Sequence, residues 1–113
     1  MIEIIIKNYL AEKLSVPVVL EVPADSSKSF ILLEKTGSSR EEHIDRAMLA
    51  IQSYAPSMYE AARLNERVKA AMDSAAELDA VSASRLNSDY NFTDTTTKRY
   101  RYQAVYDLVY FDE

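Results

Sequence analysis

The sequence contains no cysteine, which excludes both a disulfide framework and a metal site built on thiolates. It contains a single glycine, Gly37, and a phosphate-binding loop needs several glycines so that its backbone can approach the phosphate groups. With so little glycine we expect few left-handed turns, and we expect Asn, Asp and Ser to occupy the remaining loop positions. The G-x-S-x-G motif, which exposes the nucleophile of many serine hydrolases on a sharp turn, is also missing.

The only histidine, His43, lies in the acidic segment Glu41-Glu42-His43-Ile44-Asp45. Carboxylates beside an imidazole are possible metal ligands, but their spacing matches no established motif, and a charged run of this kind is usually solvated. Asp112 and Glu113 end the sequence, and a fraying terminus is a poor position for paired acid-base catalysis. We therefore expect no enzymatic activity, no metal site and no cofactor.

The length of 113 residues, 48% of them hydrophobic, predicts one domain over residues 1–113 with one core. The sequence has 13 basic and 18 acidic residues, and a net charge of −5 disfavours tight binding to a phosphate backbone. The N-terminal apolar run is too short to span a membrane, and it lacks the basic start and cleavage site of a signal peptide. We expect a soluble, unprocessed protein, whose absence of cysteine fits a reducing cytoplasm, with neither a membrane nor a specific nucleic-acid sequence as partner.

The strictest periodicity lies at residues 98–111. Every second residue is apolar or aromatic: Tyr100, Tyr102, Ala104, Tyr106, Leu108 and Tyr110. This alternation predicts one long strand, either a central rib of the sheet or an arm that reaches a neighbour. Tyrosines are frequent at protein interfaces, because the ring can be buried while the hydroxyl contacts a partner. Basic residues among the tyrosines also suit single-stranded nucleic acid, but the acidic total favours a strand with charges on its outer face.

The rest of the chain divides into shorter segments. We predict a helix over residues 2–14 that Pro17 ends, strands over 18–22 and 30–35, a turn over 36–39, a helix over 57–76 with a capping box, and a strand over 78–89. Residues 40–55 give conflicting signals. Their apolar positions fit both a helical and a strand period, and their Ala, Met and Glu content makes helix the prediction from local propensity.

The polar segment 91–97 is longer than a tight hairpin needs, which is typical of loops with a contact role. We predict that it contacts a neighbouring subunit or another partner. From the pattern of the sequence itself, the candidate interface residues are Asp94, Arg99, Arg101 and Tyr110.

Several short strings occur in a characteristic order. After an N-terminal helix come the proline-flanked segment 17–23, Phe30-Ile-Leu-Leu-Glu-Lys-Thr-Gly37, Ile51-Gln-Ser-Tyr-Ala55, Glu60-Ala-Ala-Arg-Leu64, Tyr90-Asn-Phe-Thr-Asp94 and Arg99-Tyr-Arg-Tyr-Gln103 through Tyr110. In this order the chain resembles the small tail-terminator proteins, also called tail-completion or neck proteins, of long-tailed bacteriophages and prophages. The resemblance implies that residues 43–54 form a strand. The fold would then be α+β, in the order α-β-β-β-α-β-β, with a largely antiparallel sheet of about five strands and two helices on one face.

The resemblance also implies a structural role in the tail or neck of the virion. Subunits would join head-to-tail into a ring, usually of six, which caps the tail tube and offers a surface to the head connector. Its partners would be further copies of the chain, the tail tube protein and the connector protein. Two alternatives stay open: another head-tail joining protein that binds the connector, and a small α+β ligand-binding or regulatory domain.

Overall fold

The structure, a computed structural model, describes residues 1–24, 28–97 and 99–111. Its elements in chain order are α1 (Ile2–Lys13), β1 (Val18–Val19), β2 (Phe30–Glu41), β3 (Ile44–Ala55), α2 (Met58–Asp73), a 3-10 turn (Ala75–Glu77), β4 (Val81–Asn91) and β5 (Tyr100–Tyr110). The predicted α+β fold and element order are confirmed. Predictions that involve residues 25–27, Lys98, Asp112 and Glu113 lie outside the described residues.

The five strands form one sheet in the order β1-β2-β3-β5-β4. Every neighbouring pair is antiparallel except β1 and β2, which run parallel over two residues. The last strand lies between β3 and β4, so of the two predicted alternatives, a rib of the sheet or an arm, it is a rib inside the sheet. We call the end where β2 begins and β3 finishes the proximal end of the sheet, and the end with the β2–β3 turn the distal end.

The alternation of β5 divides the sheet into two faces. Ala104, Tyr106 and Leu108 are at most 1% exposed and belong to the same core cluster as the apolar side chains of both helices. Their cross-strand partners on β3 are Ile51, Leu49 and Ala47, which are buried in that cluster too. Both helices therefore cover this face of the sheet, and the residues between these positions point to the opposite, helix-free face.

The helix predicted from local propensity at residues 40–55 is wrong, and the strand implied by the family resemblance is right. Residues 44–55 form β3, which pairs with β2 along one edge and with β5 along the other. Pairing with two neighbours buries Leu49 and Ile51 against the helices. Such tertiary contacts outweigh the weak helical preference of Ala, Met and Glu.

The turn predicted at residues 36–39 is also wrong, because β2 continues through this segment to Glu41. The chain reverses instead at Glu42 and His43, whose φ angles are 51° and 67°. Gly37 has a negative φ and lies beside a bulge in β2, so the left-handed turn does not use the only glycine. Glutamate and histidine occupy the two positions of a hairpin turn that Asn and Gly favour.

The predicted second helix is confirmed over Met58–Asp73, with Ser57 as its N-cap. The Ser57 hydroxyl accepts a hydrogen bond from the Glu60 backbone N–H at 3.2 Å and donates one to the Glu60 carboxylate at 3.2 Å. The first helix ends at Lys13, before Pro17, because the backbone at Leu14 is already extended. No helix among the described residues is long and apolar enough to cross a membrane.

The first strand is shorter than predicted, and β4 starts and ends later than the predicted range 78–89.

Hydrogen bonds to backbone carbonyls hold the helices to each other and to the sheet. The Tyr9 hydroxyl of α1 donates to the Ala71 carbonyl of α2 at 2.8 Å. Ser84 of β4 donates to the Met72 carbonyl at 2.7 Å, so the C-terminal part of α2 is held above β4.

Candidate assembly surface

The helix-free face runs across four long strands and is not covered by any other element in the part of the chain that the structure describes. Its centre carries Ala50 and the half-buried Val105 and Val109, while Met48 is 38% exposed. An antiparallel sheet can leave one face to solvent, and the small and apolar side chains at the centre of this one make it available for a partner to cover.

At the proximal end this face carries a polar-aromatic cluster, which we define by Phe30, Gln52, Tyr54, Tyr90, Phe92, Arg101 and Gln103. Gln52 donates to the Gln103 side-chain carbonyl at 2.9 Å, and the Tyr54 hydroxyl donates to Gln52 at 2.9 Å. The Phe30 and Tyr54 rings stack with centroids 4.5 Å apart. Gln52, Tyr54 and Gln103 are all less than 9% exposed, so the cluster is a second, mixed core on the face without helices.

Arg101 links the two sides of this cluster. Its guanidinium donates to the Phe92 carbonyl at 2.7 Å and to the Tyr54 hydroxyl. It also lies 4.4 Å from the Phe92 ring centroid and 5.5 Å from the Tyr54 centroid, within the range of cation–π attraction. Arg101 was predicted as an interface residue, and the structure gives it partners within its own chain, which fix the surface shape at the proximal end.

The predicted contact segment 91–97 is compact. Asn91 belongs to β4, and the Phe92 backbone N–H donates to the Arg101 carbonyl at 2.9 Å. The Asp94 carboxylate accepts from the backbone N–H groups of Thr96 at 2.9 Å and Thr97 at 3.3 Å. Hydrogen bonds from Thr97, with a further backbone bond from Thr96, hold the pKa of Asp94 below its usual range. The segment is therefore a defined turn whose hydrogen bonds favour the charged form of the Asp94 carboxylate.

Three of the four predicted interface residues lie together. Asp94 and Arg99 form an isolated β-bridge, and Arg101 follows on the same hairpin at the proximal end. Tyr110 lies at the opposite end of β5, roughly 35 Å away by strand rise, where it pairs with Asp45 and Val81 and is 6% exposed. The four residues consequently do not form one site.

The distal end is acidic. Glu41, Glu42 and His43 are exposed at the hairpin turn, and Asp45 is buried beside Arg40, whose guanidinium donates to it through two nitrogens. No group of three or more His, Cys, Asp and Glu side chains in the described ranges is close enough to hold a metal ion. The acidic segment around His43 is thus a solvated turn with one bidentate ion pair behind it.

A groove of about 550 Å³ crosses β2, β3 and β5 in their distal half. Its lining is Thr36, Gly37, Ser38, Ser39, Arg46, Ala47, Met48, Asp107, Leu108 and Val109. One guanidinium, one carboxylate and several hydroxyls surround an apolar floor, without a nucleophile paired to a base. A second cavity of about 220 Å³ lies at the proximal end between α2 and the start of β2, where Arg63, Arg67, Glu60 and Ser29 contribute its polar lining.

The polar groups on the helix side serve packing. Lys69 of α2 lies 2.9 Å from Glu66 and 2.9 Å from Asp89 of β4, and Asn65 donates to Asp89 at 3.0 Å. Hydrogen bonds to these two carboxylates raise the pKa of Lys69. The Tyr106 hydroxyl donates to the Asp73 carboxylate at 2.7 Å. Burial raises the pKa of Tyr106 far above its ordinary value, and the nearby Asp73 carboxylate raises it further.

Both lateral edges of the sheet carry open hydrogen-bonding groups. The outer edge of β2 is paired with β1 only at Ile31 and Leu32, and residues 34–41 are all exposed. On the other side β4, 11 residues long, pairs with β5 alone. Within the described ranges no other strand lies beside either edge.

Sequence reasoning missed the core of the polar-aromatic cluster. Gln52 and Tyr54 alternate with Ile51 and Ser53, a strand signal that the helix prediction for this segment concealed. Their partners on β5, Gln103 and Arg101, lie 51 and 47 residues further along the chain, so only the sheet register brings them together.

Comparison with protein-family models finds no match for this chain, and comparison with curated proteins finds none with significant similarity. The features of the surface that bear on function are a bare sheet face and two open edges.

Proposed function

We propose that the protein is a structural, ring-forming tail terminator of a bacteriophage or prophage, without enzymatic activity. It would cap the tail tube and present a surface to the head connector. The observation that carries this proposal is the helix-free sheet face, because a sheet packed on one side only is suited to form the wall of a larger assembly. The sequence resemblance to tail terminators points the same way.

The two ends of the sheet support a ring that meets different components on its two rims. The proximal end exposes Arg63 and Arg67 on α2 and Arg99 beside the β4–β5 turn. The distal end exposes Glu41 and Glu42 at its turn. In a ring whose strands run along its axis, the two rims would present different side chains, with Glu60 and Asp94 beside the proximal arginines and Arg40 beside the distal glutamates. A tail terminator needs two such unlike rims, one for the tube and one for the connector.

The overall charge suits passage of DNA through the ring. A net charge of −5 gives little attraction for the phosphate backbone. The helix-free face carries two carboxylates, Glu34 and Asp107, and two guanidinium groups, Arg46 and Arg85, so that neither sign dominates this surface. DNA would move past such a wall without being retained.

Negative-stain electron microscopy of the purified chain at high concentration tests this proposal. We expect rings with an open centre, whose projected subunits match a molecule of 44 × 25 × 24 Å. Filaments without closure, or compact particles without a central opening, would contradict it. A joining protein that binds the connector would give similar rings, and capture of either tail tubes or connectors on grids separates these two roles.

The groove of about 550 Å³ favours a second candidate, a small ligand-binding or regulatory domain. That function requires that a small molecule bind in the groove and that the protein remain a small oligomer. A thermal-shift screen of metabolites distinguishes the two functions. The melting temperature of a ring-forming terminator should rise with protein concentration and should not respond to such compounds.

A further inference from the structure

We propose that subunits join by continuing the sheet, with β4 of one copy pairing antiparallel to the open part of β2 of the next copy. This contact deepens the proposed ring function and rests on it. The occupant of each edge is thus a second copy of this chain. Three features of the fold support this arrangement.

The first feature is strand direction. The long strands lie in the order β2, β3, β5 and β4, and each runs opposite to its neighbour. A neighbouring copy rotated about an axis along the strands places its β2 beside β4 with the opposite direction. The alternation then continues from one subunit to the next without a break. Because the two edges differ, the contact is heterologous, and it closes into a ring when the rotation between copies divides a full turn.

The second feature is the match between the two edges in position along the sheet. Through the registers of β3 and β5, Val81 of β4 lies on the same row as Arg40 of β2, and Asp89 lies on the same row as Leu33. The short β1 ends this open stretch, because it covers β2 only at Ile31 and Leu32. Residues 81–89 and 33–40 therefore span the same height and meet without displacing β1.

The third feature is charge. Glu34 on β2 and Arg85 on β4 both point to the helix-free face, and both are exposed. Neither has an ion-pair partner in the part of the chain that the structure describes. On the aligned rows Glu34 lies opposite Ser88 of the next copy and diagonal to its Arg85, within reach of a long side chain. The contact would thus give Glu34 an opposite charge across the interface, and give Arg85 a second carboxylate besides Asp107, its cross-strand partner on β5.

Small side chains allow the two backbones to approach. The open part of β2 carries Thr36, Gly37, Ser38 and Ser39, and β4 carries Ser82, Ala83, Ser84 and Ser88. Edge strands that avoid association usually carry lysines or prolines. Between them these two stretches hold one lysine, Lys35, and no proline. Apart from Glu34, Lys35, Arg40, Arg85 and Asp89, the side chains of the two stretches are uncharged, and most are small enough for the two backbones to approach.

Cysteine cross-linking tests the contact directly, because the parent sequence contains no cysteine. Ser88→Cys on β4 is combined in turn with Glu34→Cys, Gly37→Cys or Ser39→Cys, three β2 positions on the same face. The matched control combines Ser88→Cys with Ser38→Cys, an equally exposed neighbour on the opposite face. Disulfides form only when the two Cβ atoms are about 3.5–4.5 Å apart, so one face and one register are selected.

We expect a ladder of cross-linked species up to the closed ring for Ser88→Cys with Glu34→Cys, and monomer for the control. A charge exchange provides a second readout that needs no oxidation. Glu34→Arg and Arg85→Glu should each weaken assembly, and the double variant should restore it. Circular dichroism of each variant checks that the fold is kept.

The outcomes separate this inference from the proposed function. Rings that cross-link at none of the same-face positions, or equally at Ser38, would overturn edge pairing and leave the ring function standing. Disulfide-linked dimers of the variant that carries Ser88→Cys alone would show a two-fold contact between two β4 strands. That result would overturn the pairing of β4 with β2. Absence of any oligomer over the whole concentration range would overturn both proposals.

Discussion

Arg101 connects the strands of the polar-aromatic cluster through hydrogen bonds to Phe92 and Tyr54 and through contacts with both rings. The alternation of β5 indicated that this residue points away from the apolar face. It could not indicate the contact with Tyr54, which depends on the register between β3 and β5. Sequence reasoning therefore identified the residue and missed its partners.

Arg101→Ala should lower the free energy of unfolding by about 2 kcal/mol, because it removes charge-assisted hydrogen bonds and two cation–π contacts. Arg101→Lys should recover only a small part, since an ammonium cannot reproduce the planar fork. Urea denaturation measures both. Arg99→Ala is the matched control, two residues away and exposed, and should change stability by less than about 0.5 kcal/mol. Equal losses for the two arginines would contradict this role of the cluster.

The buried Tyr106 makes the free energy of unfolding depend on pH in the alkaline range. Its pKa is raised in the folded state, so the folded protein keeps the phenol proton at pH values where the unfolded chain, with an ordinary pKa near 10, loses it. The stabilisation is complete below pH 10 and decreases as pH rises above that value. Unfolding free energies measured on both sides of this pH should fall more steeply for the parent than for Tyr106→Phe.

The control for this pH dependence is Tyr59→Phe, because the Tyr59 ring is 69% exposed on α2. Removing the Tyr59 hydroxyl should leave the steep alkaline decline of the parent unchanged. At neutral pH, Tyr106→Phe should itself cost about 1 kcal/mol, since Asp73 and the Lys69 carbonyl lose their donor. A Tyr106→Phe curve parallel to the parent would contradict the assigned pKa shift.

Among the elements, those with a strong pattern of their own were predictable. The last strand and α2 each carry an uninterrupted period and, for α2, a capping serine, so local sequence determines them. The hairpin of β2 and β3 was not predictable from local rules. The residues of its second strand, β3, favour a helix by local propensity. They form a strand because β2 pairs with them on one side and β5 on the other.

The hairpin turn itself carries backbone strain that can be relieved. Glu42 and His43 both have positive φ, a conformation that costs a residue with a Cβ about 1–2 kcal/mol. The double variant Glu42→Asn/His43→Gly should raise the melting temperature and stabilise the fold by about 1 kcal/mol, because these residues favour such turns. Calorimetry or thermal circular dichroism measures the change.

Ser38→Gly is the control for the turn variant, since it introduces glycine into the same hairpin at a strand position. Glycine there should destabilise by about 0.5–1 kcal/mol, because the unfolded chain gains freedom without relief of strain. Stabilisation by both substitutions, or by neither, would contradict the distinction between the turn and the strand.

For the whole molecule, the family resemblance gave the correct order of elements, and the structure adds what no single segment contains. The two open edges, β2 on one side and β4 on the other, arise from the topology of the sheet, in which the last strand lies between β3 and β4. Tyr110 illustrates the limit of sequence reasoning, because an interfacial tyrosine and a core tyrosine occupy the same position in an alternating pattern. Its burial at the distal end is determined by Asp45 and Val81 beside it.

The proposed function requires this chain to be a subunit of a closed ring. Light scattering of the protein over a wide concentration range tests that claim most directly, because it measures mass independently of shape. We expect 12.8 kDa subunits to associate with rising concentration into one closed species of about six copies and not to grow beyond it. A mass that remains that of a monomer or a tight dimer at every concentration would contradict it.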